Sequence, residues 1–433
     1  MVLRLLGLVS LAILMPHVYG ASPNVVLVMC DDLGYGDLSC FNPDSPIDTP
    51  HIDALAESGL RFTRFYSAAP VCSPTRGSCL TGRHPYRYGV YSANTGHIKP
   101  DEITLPELLK QSGYTTGHFG KWHLGTLTTT VKDANRGGPQ GAKHFAPPSL
   151  HGYDDSFVTE SKVPTYDPMI SPPKASKHAW DAIEDKSEAK SYGTRYWDHA
   201  GNVVTENLQG DDSRIVMDRA TRFIEGAVKQ QRPFFAAVWF HAPHLPVVAG
   251  PEHVAVYRQH DVYSRNYFGC ITALDEQIGR LRASLRELGV ADDTMLWFCS
   301  DNGPEGQAGK APGSAGPLRG RKRSLYEGGV RVPGIVEWPG HVRPGSTDVA
   351  AVTSDYLPTV LDVLDVPYPD ERPVDGVSLK QVILGQATRR NKPIGFQSKN
   401  QIAWHDGAKK LYSGNGGKTW QLYDLSVDVG EAN

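Results

Sequence analysis

Residues 24–32 read Asn-Val-Val-Leu-Val-Met-Cys-Asp-Asp, an unbroken apolar run that ends in two adjacent carboxylates. A continuous aliphatic run without polar alternation predicts a strand that is buried on both faces. Such strands are typical of parallel sheets, and in open α/β sheets ligands bind beyond the carboxyl ends of the strands. This stretch therefore predicts a parallel sheet and a ligand site at one edge of it.

Further apolar runs alternate with helical patterns after this strand. Thr49-Pro50 opens a predicted helix that Gly59 ends, and Thr104 with Glu107 forms a predicted capping box for another helix. The other predicted elements are strands at 114–119, 234–240, 295–300 and 332–338, and helices at 214–228 and 266–288. This alternation predicts an α/β fold whose mainly parallel central sheet is covered by helices on both faces.

Two regions depart from the alternation. Residues 126–207 are rich in Pro, Gly, Lys, His and Tyr with little periodicity, which is typical of a functional or a disordered segment. From about residue 389 onward, short runs alternate with Gly-rich turns and predict a small antiparallel C-terminal unit. We therefore expect a large α/β domain at 21–345, with its irregular segment at 126–207, and a C-terminal portion at 346–433.

Composition and charge exclude some partners. The 433 residues are 40% hydrophobic and 21% charged, as in ordinary globular proteins. A formal net charge of −3 gives no general attraction to polyanions, so no nucleic-acid partner is expected. An anionic ligand would have to be bound by a local cluster of cations.

The first twenty residues have the order of a secretory signal. Arg4 precedes an apolar stretch at 5–15, and the small residues Gly20, Ala21 and Ser22 follow. The stretch is shorter than the roughly 20 residues that a membrane-spanning helix needs. We therefore expect a signal peptide at 1–20, no stable membrane span, and a secreted or periplasmic protein. A membrane anchor or a buried first helix is the alternative.

Polar side chains follow two of the predicted strands. Asp31 and Asp32 come after the first strand, and Asp301 and Asn302 come after the strand at 295–300. Adjacent carboxylates repel one another unless a positive charge lies between them. Ligands that are all oxygen suit a hard cation such as Ca²⁺ or Mg²⁺. Asp is also common in turns and caps, which is the alternative for either pair alone.

The segment Cys72-Ser73-Pro74-Thr75-Arg76 predicts an anion site. Pro74 fits the first turn of a helix, which would place Cys72 at a helix N-terminus, where backbone N–H groups favour an anion. Arg76 lies one turn further on the same face. The alternative is a buried cysteine ahead of a capped helix. With Cys72 diverted to chemistry, an odd number of the six cysteines remains, so no particular disulfide is predicted.

Residues 72–76, followed by Leu-Thr-Gly-Arg at 80–83, resemble the signature of the type I sulfatases, in which the cysteine is oxidised to formylglycine. Other segments resemble the family's motifs and follow one another in the family's order. Residues 31–37 and 300–303 resemble its two metal motifs. Residues 120–125 (Gly-Lys-Trp-His-Leu-Gly) resemble the segment of its active-site lysine and histidine, 242–246 (Ala-Pro-His-Leu-Pro) the segment of a further histidine, and 322–329 the segment of its last active-site lysine. The resemblance extends over residues 24–425.

This resemblance implies the alkaline-phosphatase-like fold, hydrolysis of sulfate esters and a maturation enzyme that generates formylglycine from Cys72. It implies that calcium, with magnesium as an alternative, is bound by Asp31, Asp32, Asp301, Asn302 and residue 72. It also implies four groups that meet the charge of the sulfate: Arg76, Lys121, His244 and Lys322. His123 is implied as the base that helps the aldehyde to re-form. His241 is a reserve for His244, and the position of Lys322 is counted back from Tyr-Glu-Gly-Gly at 326–329.

The substrate is expected to be a sulfated glycan, because export favours extracellular substrates. Two segments are candidates for specificity: the loop at 91–97, and an aromatic and basic group formed by Tyr192, Arg195, Tyr196, Trp197 and His199. His405 could approach the substrate but is more typical of a surface turn. The alternatives are a phosphodiesterase or phosphonate hydrolase of the same superfamily, and a glycan-binding protein that has lost catalysis. The oligomeric state is not predicted.

Overall fold

The apolar run at 24–30 lies in the middle of a ten-stranded sheet in the computed structural model, which describes residues 22–432. The predicted signal peptide at 1–20 lies outside the described residues. The described strands are β1 Asn24–Cys30, β2 Leu60–Phe62, β3 Phe65–Tyr66, β4 Thr115–Lys121, β5 Asp155–Thr159, β6 Ile170–Ser171, β7 Lys190–Ser191, β8 Tyr196–Asp198, β9 Val203–Val204, β10 Phe234–Trp239, β11 Thr294–Ser300, β12 Arg331–Val332, β13 Gly334–Glu337, β14 Gly345–Thr347, β15 Ala351–Val352, β16 Ile394–Ser398, β17 Gln401–Asp406, β18 Lys409–Ser413 and β19 Gln421–Asp424.

Helices connect most of the central strands. They are α1 Pro50–Ser58, α2 Cys72–Thr81, α3 Pro85–Tyr88, α4 Leu105–Gln111, α5 Asp212–Lys229, α6 Pro251–Val256, α7 Val262–Glu287, α8 Glu327–Val330, α9 Tyr356–Leu364 and α10 Lys380–Ile383. The predicted capping box is present at the start of α4, where Thr104 N donates to Glu107 Oε2 at 2.8 Å. In residues 22–432 no helix combines the length and apolar character needed to cross a membrane.

The strand order of the large sheet is β14-β2-β13-β11-β1-β10-β4-β5-β8-β9. The five strands from β11 to β5 are parallel to one another, whereas β13 and β8 run antiparallel on either side of them. The predicted fold class is confirmed, with a mainly parallel centre and antiparallel margins.

Alternate side chains of β1 enter two separate cores. Val26 and Val28 pack with α1, α5 and α7 on one face, and Val25, Leu27 and Met29 pack with α2, α4 and α9 on the other. All seven residues of β1 are buried. This is why the run carries no polar alternation, since a strand covered by helices on both faces has no solvent side.

Two predicted segments differ from the structure. The strand predicted at 332–338 is divided at Pro333, where the backbone has no N–H for a ladder bond, into β12, which pairs with β3, and β13, which pairs with β11. The segment at 126–207 is not wholly irregular, because it supplies β5 to the parallel sheet. Five residues of β5 carry too short a pattern to be distinguished by periodicity.

The predicted C-terminal antiparallel unit is confirmed. Strands β16 to β19 form a four-stranded meander. Its Phe396, Tyr412 and Tyr423 pack in one cluster with Tyr66 and Leu325 of the large domain. The C-terminal sheet is therefore fixed next to the segment that carries Lys322.

Candidate active site

The two pairs of polar residues predicted to meet do so at the carboxyl ends of β1 and β11. These strands are parallel neighbours with Cys30 opposite Ser300, so the residues that follow are adjacent. Asp32 N donates to Asp301 Oδ1 at 3.2 Å, and Asn302 Nδ2 donates to Asp32 Oδ1 at 2.6 Å. Asp32 has a left-handed backbone with φ of 67°, a conformation that costs energy in a residue with a Cβ and is common at functional sites.

A group of possible metal ligands lies at this edge of the sheet. Asp31, Asp32, Cys72 and His244 each offer a ligand atom, and these atoms lie within 4.8 Å of one another. Asp31 Oδ1 and Asn302 Oδ1 are buried without a hydrogen-bond partner among the described residues. Such orphaned oxygens need a cation or water.

Three buried cations face the three carboxylates. Arg76 donates to Asp301 Oδ2 through Nη2 at 2.6 Å and Nε at 3.0 Å. Lys121 Nζ lies 2.5 Å from Asp31 Oδ2, and Lys322 Nζ lies 2.6 Å from Asp32 Oδ1. Burial opposes the charged forms here. At Asp31 the neighbouring cations, chiefly Lys121, outweigh this effect of burial and hold the pKa of the carboxyl well below its usual range.

Lys322 remains protonated in this cluster. Burial would lower the pKa of its ammonium, but the charge of Asp32 and its neighbours raises it well above the usual value. At Asp301 the charged form is disfavoured, since burial and the neighbouring Asp31 raise the pKa of its carboxyl. The carboxylates therefore still repel one another, and a further positive charge between them would relieve this repulsion.

Cys72 is the first residue of α2, as the proline spacing predicted, and its side chain is buried. It lines a cavity of about 320 Å³, named the site cavity, together with His123, His244, Lys322 and residues of the loop at 91–94. Burial raises the pKa of the Cys72 thiol to about 12, although Lys121 and Lys322 oppose the shift. The thiol is therefore protonated at neutral pH and is a poor nucleophile.

Two histidines line the site cavity. His123, with a left-handed φ of 59°, places Nε2 at 2.8 Å from Asn94 Oδ1. His244 donates from Nδ1 to the Leu245 carbonyl at 2.7 Å and turns Nε2 toward Asp32 Oδ2 at 3.7 Å. Burial lowers the pKa of His123 well below its usual value and that of His244 to about 4. Both rings are therefore uncharged at neutral pH.

The structure brings together all ten predicted site residues and adds others. Asn94, Ser161 and Lys162 also line the site cavity. Burial and the charges of Lys121 and Lys322 lower the pKa of Lys162. Lys162 lies in the weakly patterned segment after β5, so no periodicity or spacing indicated it. Of the loop expected beside Cys72 at 91–97, residues 91–94 line the site cavity.

The reserve histidine is not part of the site. His241 is fully buried, with Nδ1 at 2.8 Å from Asp212 Oδ2 and Nε2 at 2.7 Å from Thr159 Oγ1. His405 does not occupy a surface turn either, because it lies on β17 with its ring buried against Tyr66. The preference for His244 over His241 agrees with this placement, whereas the surface turn expected at His405 was wrong because the nearby Gly407 suggested a turn.

The aromatic candidates for sugar contact are also corrected. Tyr196 is fully buried on β8 and stacks on Phe157 with ring centroids 4.2 Å apart. Trp197 is buried and donates from Nε1 to Asp133 Oδ2 at 2.7 Å. The remaining members of that group, Tyr192, Arg195 and His199, do not line the site cavity among the described residues. Short strands of the sheet margin hold residues that composition alone assigned to a loop.

Comparisons with known proteins agree with this geometry. A family model described as Sulfatase matches residues 23–366, a range that contains all ten predicted site residues. Arylsulfatase A of Homo sapiens is 35% identical over 386 residues, covering 86% of this chain and 70% of that protein. N-acetylgalactosamine-6-sulfatase of Rattus norvegicus is 30% identical over 423 residues, covering 94% and 74%. The crystal structure of Ps i-CgsB in complex with k-i-k-neocarrahexaose has a TM-score of 0.79 at 27% identity, covering 95% of this chain and 88% of that one.

Proposed function

Because this chain belongs to the sulfatase family, it is a sulfuric ester hydrolase, and we propose that it removes sulfate from a sulfated glycan with a nucleophile made from Cys72. One observation carries the proposal. Cys72, buried at a helix N-terminus, lines a cavity of about 320 Å³ together with His123, His244 and Lys322, and the carboxylates of Asp31 and Asp32 lie within ligand distance of it. That arrangement suits a tetrahedral anion held against a nucleophile.

Calcium is the proposed metal, with magnesium as the alternative. Asp31, Asp32, Asp301, Asn302 and residue 72 would hold it, and the unpartnered oxygens of Asp31 and Asn302 support this ligand set. When bound, a hard divalent cation supplies positive charge that favours the deprotonated form of a neighbouring hydroxyl. His244, whose Nε2 is close to the same ligands, is assigned to the sulfate because hard cations prefer oxygen.

Residue 72 is proposed to act as formylglycine, since its thiol is protonated at neutral pH. Hydrated formylglycine would supply two hydroxyls on one carbon: one to displace the alcohol from sulfur, with cleavage of the ester S–O bond and protonation of the leaving alkoxide, and one to lose its proton as the C–O bond to sulfate breaks and the aldehyde re-forms. A separate maturation enzyme would have to oxidise the cysteine. The position at the start of α2 directs backbone N–H groups toward any negative charge that develops at residue 72.

The chain's own cations perform the binding step. Lys322 lines the cavity with its ammonium beside Asp32, and Lys121 holds its ammonium beside Asp31. An incoming sulfate would share these protons. Arg76 stays paired with Asp301 and fixes the position of that carboxylate. An anion in the cavity favours the protonated imidazole of His244, which then donates from Nε2.

His123 is proposed to handle the proton on residue 72. Its ring is neutral, and Nδ1 is buried without a partner among the described residues. The contact between Nε2 and Asn94 orients the imidazole. A neutral, oriented histidine can accept a proton as sulfate departs. Asn94 would act through His123, as a positioning residue.

The glycan substrate and the extracellular or periplasmic location remain proposals. Support for a sugar comes from relatives, one named for a 6-sulfated amino sugar and one solved with an oligosaccharide. A sugar ring that follows the sulfate would meet the half-exposed Tyr91 at the cavity mouth.

The direct test is sulfate release by protein produced together with a formylglycine-generating enzyme. Turnover of 4-nitrophenyl sulfate should be lost in Cys72→Ala with unchanged far-UV circular dichroism, and Cys270→Ala, at a buried cysteine far from the cavity, is the matched control. Full activity in the Cys72 variant would refute the mechanism. Faster turnover of phosphodiester or phosphonate esters than of sulfate esters would instead favour the phosphonate hydrolase alternative.

A further inference from the structure

A second cavity, larger than the site cavity, lies between α3 and the C-terminal sheet. It encloses about 500 Å³, and we name it the distal cavity. Phe396 and Ile402 form apolar walls, Tyr86 and Arg87 border it from α3, and Trp404 borders it from β17. A concave site with apolar walls and a few polar groups is the usual form of a ligand site.

Exposed aromatic rings are concentrated here. The aromatic side chains that are at least one-third exposed in residues 22–432 are Tyr86, Tyr91, Phe145, Trp404 and Trp420. Three of them, Tyr86, Tyr91 and Trp404, border the distal cavity or the site cavity. Single exposed apolar residues need no explanation, but a cluster around a concavity indicates a binding surface.

The indole of Trp404 packs against the main chain with one face and leaves the other face exposed. It lies opposite Gly395 in the β16–β17 ladder, and a Cβ at that glycine would approach the indole to 3.1 Å. The ring therefore covers the glycine with one side, while the side chain remains 50% exposed. A fixed aromatic face next to polar groups suits the C–H face of a sugar ring, which needs apolar contact with hydroxyls left free around it.

The polar groups of the distal cavity favour an anion. Arg87, Arg390 and Lys392 line it, against the single carboxylate of Asp375. Arg87 forms an ion pair with Asp375 at 2.8 Å, and Arg390 forms one with the buried Asp355, which does not line the cavity. Lys392 Nζ donates only to the Val374 carbonyl, at 3.2 Å, among the contacts of the described residues. Its charge is therefore available to a ligand.

The two cavities are neighbours. The rings of Tyr91, which lines the site cavity, and Tyr86, which lines the distal cavity, have centroids 4.8 Å apart. On β16, Ser398 lines the site cavity and the adjacent Gln397 lines the distal cavity. An oligosaccharide that left the site cavity over the tyrosine pair would therefore meet the rim of the distal cavity, which Trp404 also lines.

We propose that the distal cavity is a second binding site for the uncleaved part of an anionic oligosaccharide, with a sugar ring on Trp404 and a sulfate or carboxylate group on Lys392. The inference rests on the proposed function, since the same glycan occupies both cavities. It adds that the enzyme prefers oligosaccharides to single sulfated sugars.

Kinetics on substrates of different length test this proposal. The probes are 4-nitrophenyl sulfate, which occupies only the site cavity, and sulfated monosaccharides to hexasaccharides prepared from chondroitin sulfate, heparin and carrageenan. Trp404→Ala should lower kcat/KM about tenfold on tetrasaccharides and longer chains, mainly through KM, and leave 4-nitrophenyl sulfate unchanged. Lys392→Gln should lower it about threefold, and high salt should remove that difference.

Matched controls lie in the connection between β18 and β19, outside the lining of the distal cavity. Trp420→Ala removes an indole that is 46% exposed, and Lys418→Gln removes an exposed lysine nearby. Neither should change activity on any substrate. Equal losses in Trp404→Ala and Trp420→Ala would overturn the proposal, as would activity independent of chain length in every oligosaccharide series.

Binding without turnover separates this inference from the proposed function. In a Cys72→Ala background, calorimetric titration with the hexasaccharides should show about tenfold weaker affinity when Trp404 is also replaced. Affinities unchanged by that replacement would refute the distal site even if sulfate release is confirmed. Absence of sulfate release by the wild-type protein, with hexasaccharide affinity still dependent on Trp404, would refute the proposed function and leave the glycan site in place. Preferential binding of uncharged oligosaccharides would refute the role of Lys392.

Discussion

The pair formed by Arg76 and Asp301 allows the electrostatics of the site to be measured. Both side chains are fully inaccessible, and the guanidinium makes two hydrogen bonds to one carboxylate oxygen. Removing either partner leaves an uncompensated buried charge, which costs about 3–5 kcal/mol. Arg76→Met and Asp301→Asn should each lower the free energy of unfolding by that amount. The double variant should be no less stable than the worse single variant, which gives a coupling energy of about 3 kcal/mol.

The assay is urea unfolding followed by the fluorescence of the eight tryptophans, in EDTA so that metal binding does not contribute. Lys110 and Asp154 provide a matched surface pair, with side chains 50% and 30% exposed and a distance of 2.7 Å. That pair should show a coupling energy below about 1 kcal/mol. Additive effects of Arg76→Met and Asp301→Asn would refute the claim that Arg76 neutralises the carboxylates of the site.

Three further results are expected. Asp301→Ala should lose bound calcium, measured by elemental analysis after dialysis, in parallel with activity, and unchanged metal content would place the metal elsewhere. His244→Gln should lower kcat/KM by roughly a hundredfold without loss of stability. His241→Gln should instead lower the free energy of unfolding by about 1–3 kcal/mol. The reverse pattern would show that His241, and not His244, binds the sulfate. Burial alone would raise the pKa of Glu327, but Lys410 and neighbouring cations lower it from 4.5 to about 2. Since the folded-state pKa is depressed, the resulting stability is present above about pH 4.5 and is lost as the pH falls toward 2. Between pH 6 and pH 3 the free energy of unfolding of Glu327→Gln should therefore fall by about 2 kcal/mol less than that of the wild type. Identical pH profiles of the two proteins would contradict this.

The central sheet could be predicted because its signal is local. The run at 24–30 is apolar at every position, and parallel strands ending in carboxylates must bring those carboxylates to one edge. The residues of the charged site could be predicted because motif resemblance assigned them one by one. Their ion pairs could not be predicted, because the distances depend on how α2 and β4 meet across the sheet.

The remaining differences arise where burial depends on tertiary contacts. Tyr196 and Trp197 have the composition of a sugar-binding loop, yet β8 pairs with β5 and hides both. Trp404 lies close to Gly407 in a sequence context typical of a turn, although its position on β17, opposite Gly395, leaves its indole exposed. Cross-strand partners and distal cavities are set by register, which a single sequence does not specify.

The most direct test of the account is peptide mass spectrometry across Cys72 on protein made with and without a formylglycine-generating enzyme. With the enzyme, the peptide should lose one sulfur and two hydrogens and gain one oxygen, or appear as the hydrate of that product. Specific activity on 4-nitrophenyl sulfate should rise in proportion to the converted fraction. Full sulfatase activity from protein whose Cys72 is entirely an unmodified thiol would contradict the account.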